Sequence, residues 1–561
     1  MRSNDGLSLE GTGGEILVRC LKTHGVDTLY CVPGESYLAV LDALYDAPEI
    51  RPIVCRQEGG AAMMADAYGK LTGRPGICFV TRGPGATNAS AGVHIAFQDS
   101  TPMILFVGQV AREDQEREAF QEIDYRRMYG QLAKWVAEID DARRIPEFLS
   151  RAFHTATSGR PGPVVLALPE DMLRDRVTAP ACLAYEPTES AMGLGQVERL
   201  GALLEAAERP FALIGGAGWD ATACERFRRF AEAWKLPVGA AFRRQDHFDN
   251  THGCYAGDVG IGINPKLAKR VKEADLLLVV GPRLGEMTTG GYSLISIPEP
   301  QGRLVHVHPD PEELGRVYRP TMAVAADPRS FAAAVQSLLP PAEPAWAAGT
   351  EQAHRDYLDW NAPVEIVGRL QMAKLMDWLA ETLPADAILC NGAGNYATWI
   401  HRFYRFRRFG SQLAPTSGSM GYGVPAAVAA KLRHPERTVL AFAGDGCFMM
   451  HGQEFATAAQ HGAAVIFVVV DNGMYGTIRM HQERNYPGRI SATSLSNPDF
   501  VKLAEAYGGY GERVERTEDF AGAFARAQAA GTPALLHLIL DPEAITPLKS
   551  LSQIRAEAES K

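Results

Sequence analysis

Three α/β blocks, each a doubly wound parallel sheet, are the architecture this 561-residue sequence predicts. Three observations carry the prediction. Short apolar runs rich in Val, Ile, Leu and Phe end in glycine turns that open helical stretches, the strand–turn–helix order of a parallel sheet covered on both faces. The pattern occurs in three stretches of similar size, separated by polar or proline-rich segments. The length also exceeds what one hydrophobic core fills.

The first block is expected over residues 9–178, with strands at 28–32, 76–80, 104–107 and 164–168. The turns Pro33-Gly34-Glu35 and Arg82-Gly83-Pro84-Gly85 follow the first two strands. A polar, proline-containing linker at 179–190 leads to the second block, 191–340, with strands at 211–214, 276–280 and 304–307. The Pro/Ala-rich passage 339–348 reads as a surface crossover. The third block, 364–547, has strands at 387–390, 438–443, 464–470 and 534–540, and a helix at 450–462 between the middle pair.

Composition narrows the class. A hydrophobic content of 46% with 22% charged residues describes an ordinary globular chain. The net charge of −10 argues against nucleic acid or an anionic membrane as partner. Nine scattered cysteines without a CxxC pair indicate neither a disulfide framework nor a zinc site. Residues 1–17 lack the apolar core of a signal peptide, and no apolar run is long enough to cross a membrane, so a cytoplasmic enzyme is expected.

Two strand ends carry the chemistry. Gly444-Asp445-Gly446 closes one apolar run and Asp471-Asn472-Gly473 closes the next, with Asp445 and Asn472 27 residues apart (472 − 445). Each turn alone is an ordinary Asx turn. Together, at the ends of consecutive parallel strands and with Tyr475-Gly476 continuing into a loop, they supply hard oxygen ligands beside a helix N-terminus. That set suits Mg²⁺ gripping a diphosphate.

The GDG…DN spacing resembles the thiamine-diphosphate motif, and five further segments extend the resemblance over nearly the whole chain. Arg56-Gln57-Glu58-Gly59-Gly60-Ala61 is similar to the family segment RHEQGA, and 81–88 to TSGPGATN. Asp99-Ser100-Thr101-Pro102-Met103, Phe120-Gln121-Glu122 and 418–423 match as well. The chain is identified on these residues as a member of the acetolactate synthase-like enzymes, with pyruvate and benzoylformate decarboxylases as more distant relatives. Five ordered motifs are specific for cofactor and fold, and much less so for substrate.

The resemblance implies roles. Glu58 would hydrogen-bond the aminopyrimidine N1′ and promote its imino tautomer; read from periodicity alone, it is a carboxylate at a helix N-terminus, in an apolar setting suited to sharing a proton. Asn88 lies in the matched turn and is expected at the cofactor. Met420 would be the wedge that bends the cofactor, and the Gly418 carbonyl would accept from N4′. Asn395 and Tyr396 take the place of a diphosphate-contacting Gln-His pair, while Gly446 and Cys447 would offer backbone N–H groups. Metal ligands would be Asp445, Asn472 and the Met474 carbonyl; Asp471, where the family has asparagine, is the alternative ligand. Tyr475 and Gly476 continue the cofactor loop.

Substrate chemistry is less constrained. Glu35 reads either as a proton donor to the reacting adduct or as a solvated turn carboxylate. Gln121 resembles the active-site glutamine of acetolactate synthases, which favours carboligation over release of an aldehyde. His481-Gln482-Glu483 reads as a surface loop or the rim of the substrate entrance. The family places a non-redox FAD in the middle block, but 257–262 and 282–285 depart from its GMLGMHG and GVRFDDR stretches, which argues against FAD. The expected activity is therefore Mg²⁺- and thiamine-diphosphate-dependent decarboxylation of a 2-oxo acid with carboligation. The active sites would lie at the subunit interfaces of a homodimer or tetramer. A non-ligating decarboxylase, or a 2-hydroxyacyl or oxalyl thioester lyase, is the alternative; Arg243-Arg244 or 269–272 would then form an ADP-binding patch. A non-catalytic regulatory paralogue is a third reading, against which Glu58, Asp445 and Asn472 stand together.

Overall fold

A computed structural model describes residues 8–560, so the first seven residues of the stretch read for a signal peptide lie outside it. The chain forms two compact units, one running to Thr188 and including Val428–Arg433, the other holding the remainder.

The first unit contains β1 (Ser8–Thr12), β2 (Thr28–Cys31), β3 (Arg51–Val54), β4 (Gly76–Val80), β5 (Met103–Gln109), β6 (Trp135–Glu138), β7 (Pro163–Pro169) and β8 (Arg176–Pro180). Six strands make a parallel sheet in the order β3-β2-β4-β5-β7-β6. Strands β5 and β7, MILFVGQ and PVVLALP, are buried along their whole length, as expected for central strands covered by helices on both faces. Pro52 sits in the edge strand β3, where its missing N–H leaves no ladder bond unmade. Strands β1 and β8 pair antiparallel, Ser8 opposite Pro180, so the expected linker at 179–190 begins inside a strand.

The second unit carries two sheets. Its first comprises β9 (Pro210–Ile214), β10 (Val238–Ala241), β11 (Tyr255–Val259), β12 (Leu276–Val280), β13 (Arg303–His308) and β14 (Met322–Ala325), parallel in the order β11-β10-β9-β12-β13-β14. The second comprises β15 (Ile388–Asn391), β16 (Gln412–Leu413), β17 (Val439–Gly444), β18 (Ile466–Asp471), β19 (Tyr510–Val514) and β20 (Ala534–Ile539). These run parallel in the order β16-β15-β17-β18-β20-β19. Counted within its own sheet, this order is that of the six-stranded sheet of the first unit, whereas the sheet between them has the dinucleotide-type order. Two of the three blocks thus share a topology that no sequence repeat announces.

One expectation is corrected and a second gains an anchor. The helix expected at 450–462 is two helices, Asp445–His451 and Glu454–His461. The first starts directly on the strand end because Gly444 caps it and Asp445 places a carboxylate at its positive end. The passage 339–348 runs at the surface, with Leu339 82% exposed, and is anchored at Trp346, which is 6% exposed and donates its indole N–H to the Trp234 carbonyl at 2.8 Å. Helix Ala347–Asn361 follows at once and packs on β11.

Inside the second unit, Asp246 fixes the edge strand β16. Its Oδ2 accepts the backbone N–H groups of Gly410, Ser411 and Gln412 at 3.0, 3.1 and 3.2 Å. Burial would raise this carboxyl, but His247, Arg244 and the backbone donors outweigh it and hold the group below the usual carboxylate range. The chain that leads to Gly418 and Met420 is anchored there.

Candidate active site

In an open parallel sheet the strand order reverses once, and the crevice beyond the carboxyl ends of the diverging strands is open to ligands. In the C-terminal sheet this point lies between β15 and β17. A cleft of about 240 Å³ opens there, lined by Asn395 and Tyr396 after β15, Gly444–Cys447 after β17, and Asn472, Met474, Tyr475 and Gly476 after β18. Gly418 and Met420 complete its wall.

Asp445 is 2% exposed, and its Oδ2 accepts the Asn497 amide N–H at 2.8 Å. Burial, opposed in part by that amide and reinforced by the charge of Asp471, pushes its carboxyl up to about 6. Asp471 and Asn472, adjacent in sequence, face different surroundings. Asp471 Oδ1 accepts from Gly473 N–H and from Asn497, both at 2.9 Å, and Oδ2 lies 2.9 Å from His537 Nε2. Burial would raise the Asp471 carboxyl, yet His537 and the Gly473 N–H outweigh it and lower it. Every oxygen of Asp471 is spent within the fold, and Asn472 is the member of the pair that lines the cleft.

Met474 lines the cleft, and its backbone direction is set by a short pairing with the 493–495 segment. Tyr475 N–H bonds the Thr493 carbonyl and Leu495 N–H bonds the Gly473 carbonyl, each at 2.9 Å, so Met474 and Ser494 form a non-hydrogen-bonded antiparallel pair. In such a pair the C=O points away from the partner segment. A Cβ on Gly446 would lie 2.6 Å from the Tyr475 ring, so only glycine lets this ring close over the helix start.

The residues after β15 are committed to the fold. Tyr396 Oη accepts Gly392 N–H at 2.9 Å and lies 3.3 Å from Cys447 Sγ, which in turn accepts Gly421 N–H at 3.1 Å. Asn395 donates to the Ile545 carbonyl at 3.1 Å and accepts from Thr477 at 2.8 Å.

A second set of candidates lies in the first unit, again where its sheet reverses. Glu58 starts the helix Glu58–Thr72, and its Oε2 accepts the Asn88 amide at 2.9 Å. A Cβ on Gly85 would lie 3.4 Å from Glu58 Oε1. Gly83, at φ +49°, packs so close to Gln121 that a Cβ would meet the Gln121 carbonyl oxygen at 2.9 Å. Gln121 itself is held at φ +65°, an uncommon conformation for a non-glycine residue. Arg82 donates to Glu35 at 3.2 Å and to Glu170 at 2.8 Å, and its side chain is 10% exposed against 72% for Glu35. Glu58, Asn88, Gln121 and Glu35 are thereby gathered around the turn that follows β4.

His481-Gln482-Glu483 lies in the helix Gly476–Asn485 and not in a surface loop; Glu483 is 1% exposed and bonds Arg479 of the same helix and Arg555, so it braces the helix and forms no rim. Arg243 and Arg244, read as a patch for ADP, are 5% and 7% exposed, and Arg244 bonds the Gly216 carbonyl at 3.1 Å. Asn497 and His537 escape the sequence reading altogether. Arg82 had a visible signal: it stands where the family segment has serine.

The residue set suits a cation and a diphosphate: a buried acid, a neutral amide and Met474 line one cleft, beside a helix start. Family comparison defines the class. Residues 11–128 match the thiamine pyrophosphate enzyme N-terminal TPP binding domain, 197–335 its central domain and 392–538 its C-terminal TPP binding domain. The acetolactate synthase large subunit of Corynebacterium glutamicum is 32% identical over 98% of this chain and 90% of its own length. The isozyme 2 large subunit of Escherichia coli is 30% identical (96% and 97%), and a probable large subunit of Methanocaldococcus jannaschii 31% identical (96% and 93%). The chain belongs to the thiamine pyrophosphate enzymes and, within them, to the acetolactate synthase-like group. It is a thiamine-diphosphate-dependent enzyme that decarboxylates a 2-oxo acid and joins the remainder to an acceptor carbonyl. Among the described residues no helix is long and apolar enough to cross a membrane.

Proposed function

We propose that this enzyme is a cytoplasmic acetolactate-type synthase that takes pyruvate or a similarly small 2-oxo acid as donor and a second 2-oxo acid as acceptor. The observation that carries the reading is the cleft on which Asp445, Asn472 and the Met474 backbone converge. Those three groups would hold Mg²⁺, and Cys447 N–H at the helix start would meet the diphosphate. Domain limits of 9–178, 191–340 and 364–547 fit this division of labour.

Bound thiamine diphosphate supplies a carbon nucleophile and a sink for the electron pair left by CO₂. This chain's residues supply the rest. Glu58, oriented by the Asn88 amide, holds and returns a proton at the aminopyrimidine. Met420 and Gly418 shape the wall on which the cofactor bends. Gln121, locked by its backbone against Gly83, orients the acceptor carbonyl and so favours ligation over protonation. The Arg82 guanidinium, braced by Glu170, fixes Glu35, so that Glu35 acts as a positioned acid at the reacting centre.

Glu58 and Asp445 belong to different units of the chain. In the assembly proposed here, a homodimer or dimer of dimers, Glu58 of one protomer completes the C-terminal cleft of its partner. No flavin is assigned to the central domain. The departure of 257–262 and 282–285 from the stretches that FAD-binding relatives carry supports this. A flavin absorbance band in the purified protein would overturn that assignment.

Product analysis by mass spectrometry, with Mg²⁺, thiamine diphosphate and a panel of 2-oxo acids, tests the whole. Two-substrate ligation products are expected. Free aldehyde as the sole product would remove the role given to Gln121 and the synthase reading with it.

A further inference from the structure

A pit opens at the amino-terminal ends of β2 and β3, the edge of the first sheet away from the turns that carry Glu35 and Glu58. The two strands begin side by side: Arg51 N–H bonds the Asp27 carbonyl at 2.8 Å, Thr28 lies opposite Arg51, and Tyr30 lies opposite Ile53. Alternation along the strands puts these four side chains on one face. The pit, about 190 Å³, is lined by that face, by Tyr68 of the helix Glu58–Thr72 and by Arg433 at the end of the helix Gly423–Arg433. All of its lining residues belong to the first unit. Its size far exceeds the ~10–15 Å³ that one water needs, so it has room for a small molecule.

Tyr30 lines the pit while being only 1% exposed, and among the described residues its hydroxyl has no hydrogen-bond partner. Leaving a buried donor unpaired is costly, so the hydroxyl is set for a partner from outside the chain. Burial raises its pKa, which keeps it protonated and a donor. The neighbouring Tyr68 hydroxyl is already spent on Asp27 Oδ1 at 2.9 Å. Arg433 makes no hydrogen bond or ion pair among the described residues, and its charge reaches both tyrosines. Two guanidinium groups, Arg51 and Arg433, therefore face one carboxylate, Asp27, which is itself hydrogen-bonded.

We propose that this pit binds a small oxyanion, a carboxylate or a phosphate, at a site separate from the reacting centre, with Tyr30 donating to an oxygen and Arg433 facing the charge. An oxyanion supplies both things the site lacks, an acceptor for the Tyr30 hydroxyl and a counter-charge for the Arg433 guanidinium. A cation would meet walls of net positive charge. An apolar ligand would leave the Tyr30 hydroxyl unpaired. Carboxylate and phosphate share the recognising chemistry, and only the size and charge of the bound species separate them.

The test is calorimetric titration of the full chain, saturated with Mg²⁺ and thiamine diphosphate so that the C-terminal cleft is filled. Sodium phosphate is the titrant in one arm and sodium succinate in the other, with sodium chloride at matched ionic strength as the control for screening. Saturable binding in at least one arm, absent with chloride, is expected, and the arm that binds identifies the source of the oxyanion. Tyr30→Phe keeps the ring and removes the hydroxyl, and Arg433→Gln removes the charge; each should weaken binding by about tenfold or more. Thermal unfolding without added anion gives a second readout. Tyr30→Phe should unfold no earlier than the parent, because the hydroxyl it deletes has no partner within the fold. Saturation by neither anion, a smaller loss of affinity in either variant, or earlier unfolding of Tyr30→Phe would overturn the proposal.

Discussion

Replacing Asp471 by asparagine and, separately, Asn472 by alanine divides support from coordination within one turn. Asp471 accepts from three groups: Gly473 N–H, Asn497 and His537. An asparagine there keeps one acceptor oxygen and turns an NH₂ group toward a donor. One charge-assisted bond is lost, at a cost of about 1.5–3 kcal/mol of stability. Asn472 makes no comparable set of bonds and lines the cleft. Its truncation should change stability by less than about 0.5 kcal/mol. Removing a metal ligand should weaken Mg²⁺-dependent binding of thiamine diphosphate by at least the ~10–100-fold that loss of an outer-shell partner costs. The assay is a pair of measurements on each variant, thermal unfolding without cofactor and calorimetric titration with cofactor and Mg²⁺. Asp471→Asn should unfold at lower temperature and bind within about tenfold of the parent; Asn472→Ala should do the reverse. If Asp471→Asn abolished cation-dependent binding while Asn472→Ala left it intact, Asp471 would be the ligand and the division made here would fail.

Other expected outcomes follow from the same geometry. Glu58→Gln should abolish turnover and leave Mg²⁺-dependent diphosphate binding near the parent value, because Glu58 and the cation cleft belong to different units; wild-type-like kcat in that variant would remove the role assigned to Glu58. Asp445 titrates at about 6 and must be ionised to hold a cation, so Mg²⁺ affinity should be flat above that pH. It should fall by up to about tenfold per pH unit below it, and calorimetry at pH 5 and 7 checks this. The sign for folding is the opposite. A carboxyl raised by burial destabilises the cation-free fold when ionised, so that fold should gain stability as pH falls through 6. Trp346→Ala should cost about 3–5 kcal/mol in unfolding experiments, the value for a buried tryptophan. A change within about 0.5 kcal/mol would remove the anchoring role given to Trp346 in the passage 339–348.

What the sequence made legible follows from how local each signal is. Strands β4, β12, β17 and β18 are uninterrupted apolar runs closed by glycine, and such runs announce a buried parallel strand without help from the rest of the chain. Asp445 and Asn472 stood out for the same reason, being fixed to strand ends. The antiparallel pair β1–β8 joins residues about 170 positions apart in an exposed, mixed-polarity pattern, so no local period marks it. Strand β16 has two residues and depends on the Asp246 carboxylate for its place. Asn497 lies between serine and proline in a loop with every mark of an ordinary turn, and only folding brings its amide between Asp445 and Asp471. His537 sits in a strand, where neither spacing nor composition distinguishes it. Side chains that hold a functional residue from a distant segment carry no pattern, and here they are the part that had to be seen.

Titration of thiamine diphosphate into metal-stripped protein, with and without Mg²⁺ and with inorganic pyrophosphate as competitor, tests the cleft most directly. Binding that needs the cation and is displaced by pyrophosphate is predicted. Equal affinity in the absence of any divalent cation, or indifference to pyrophosphate, would contradict the account of Asp445, Asn472 and Met474.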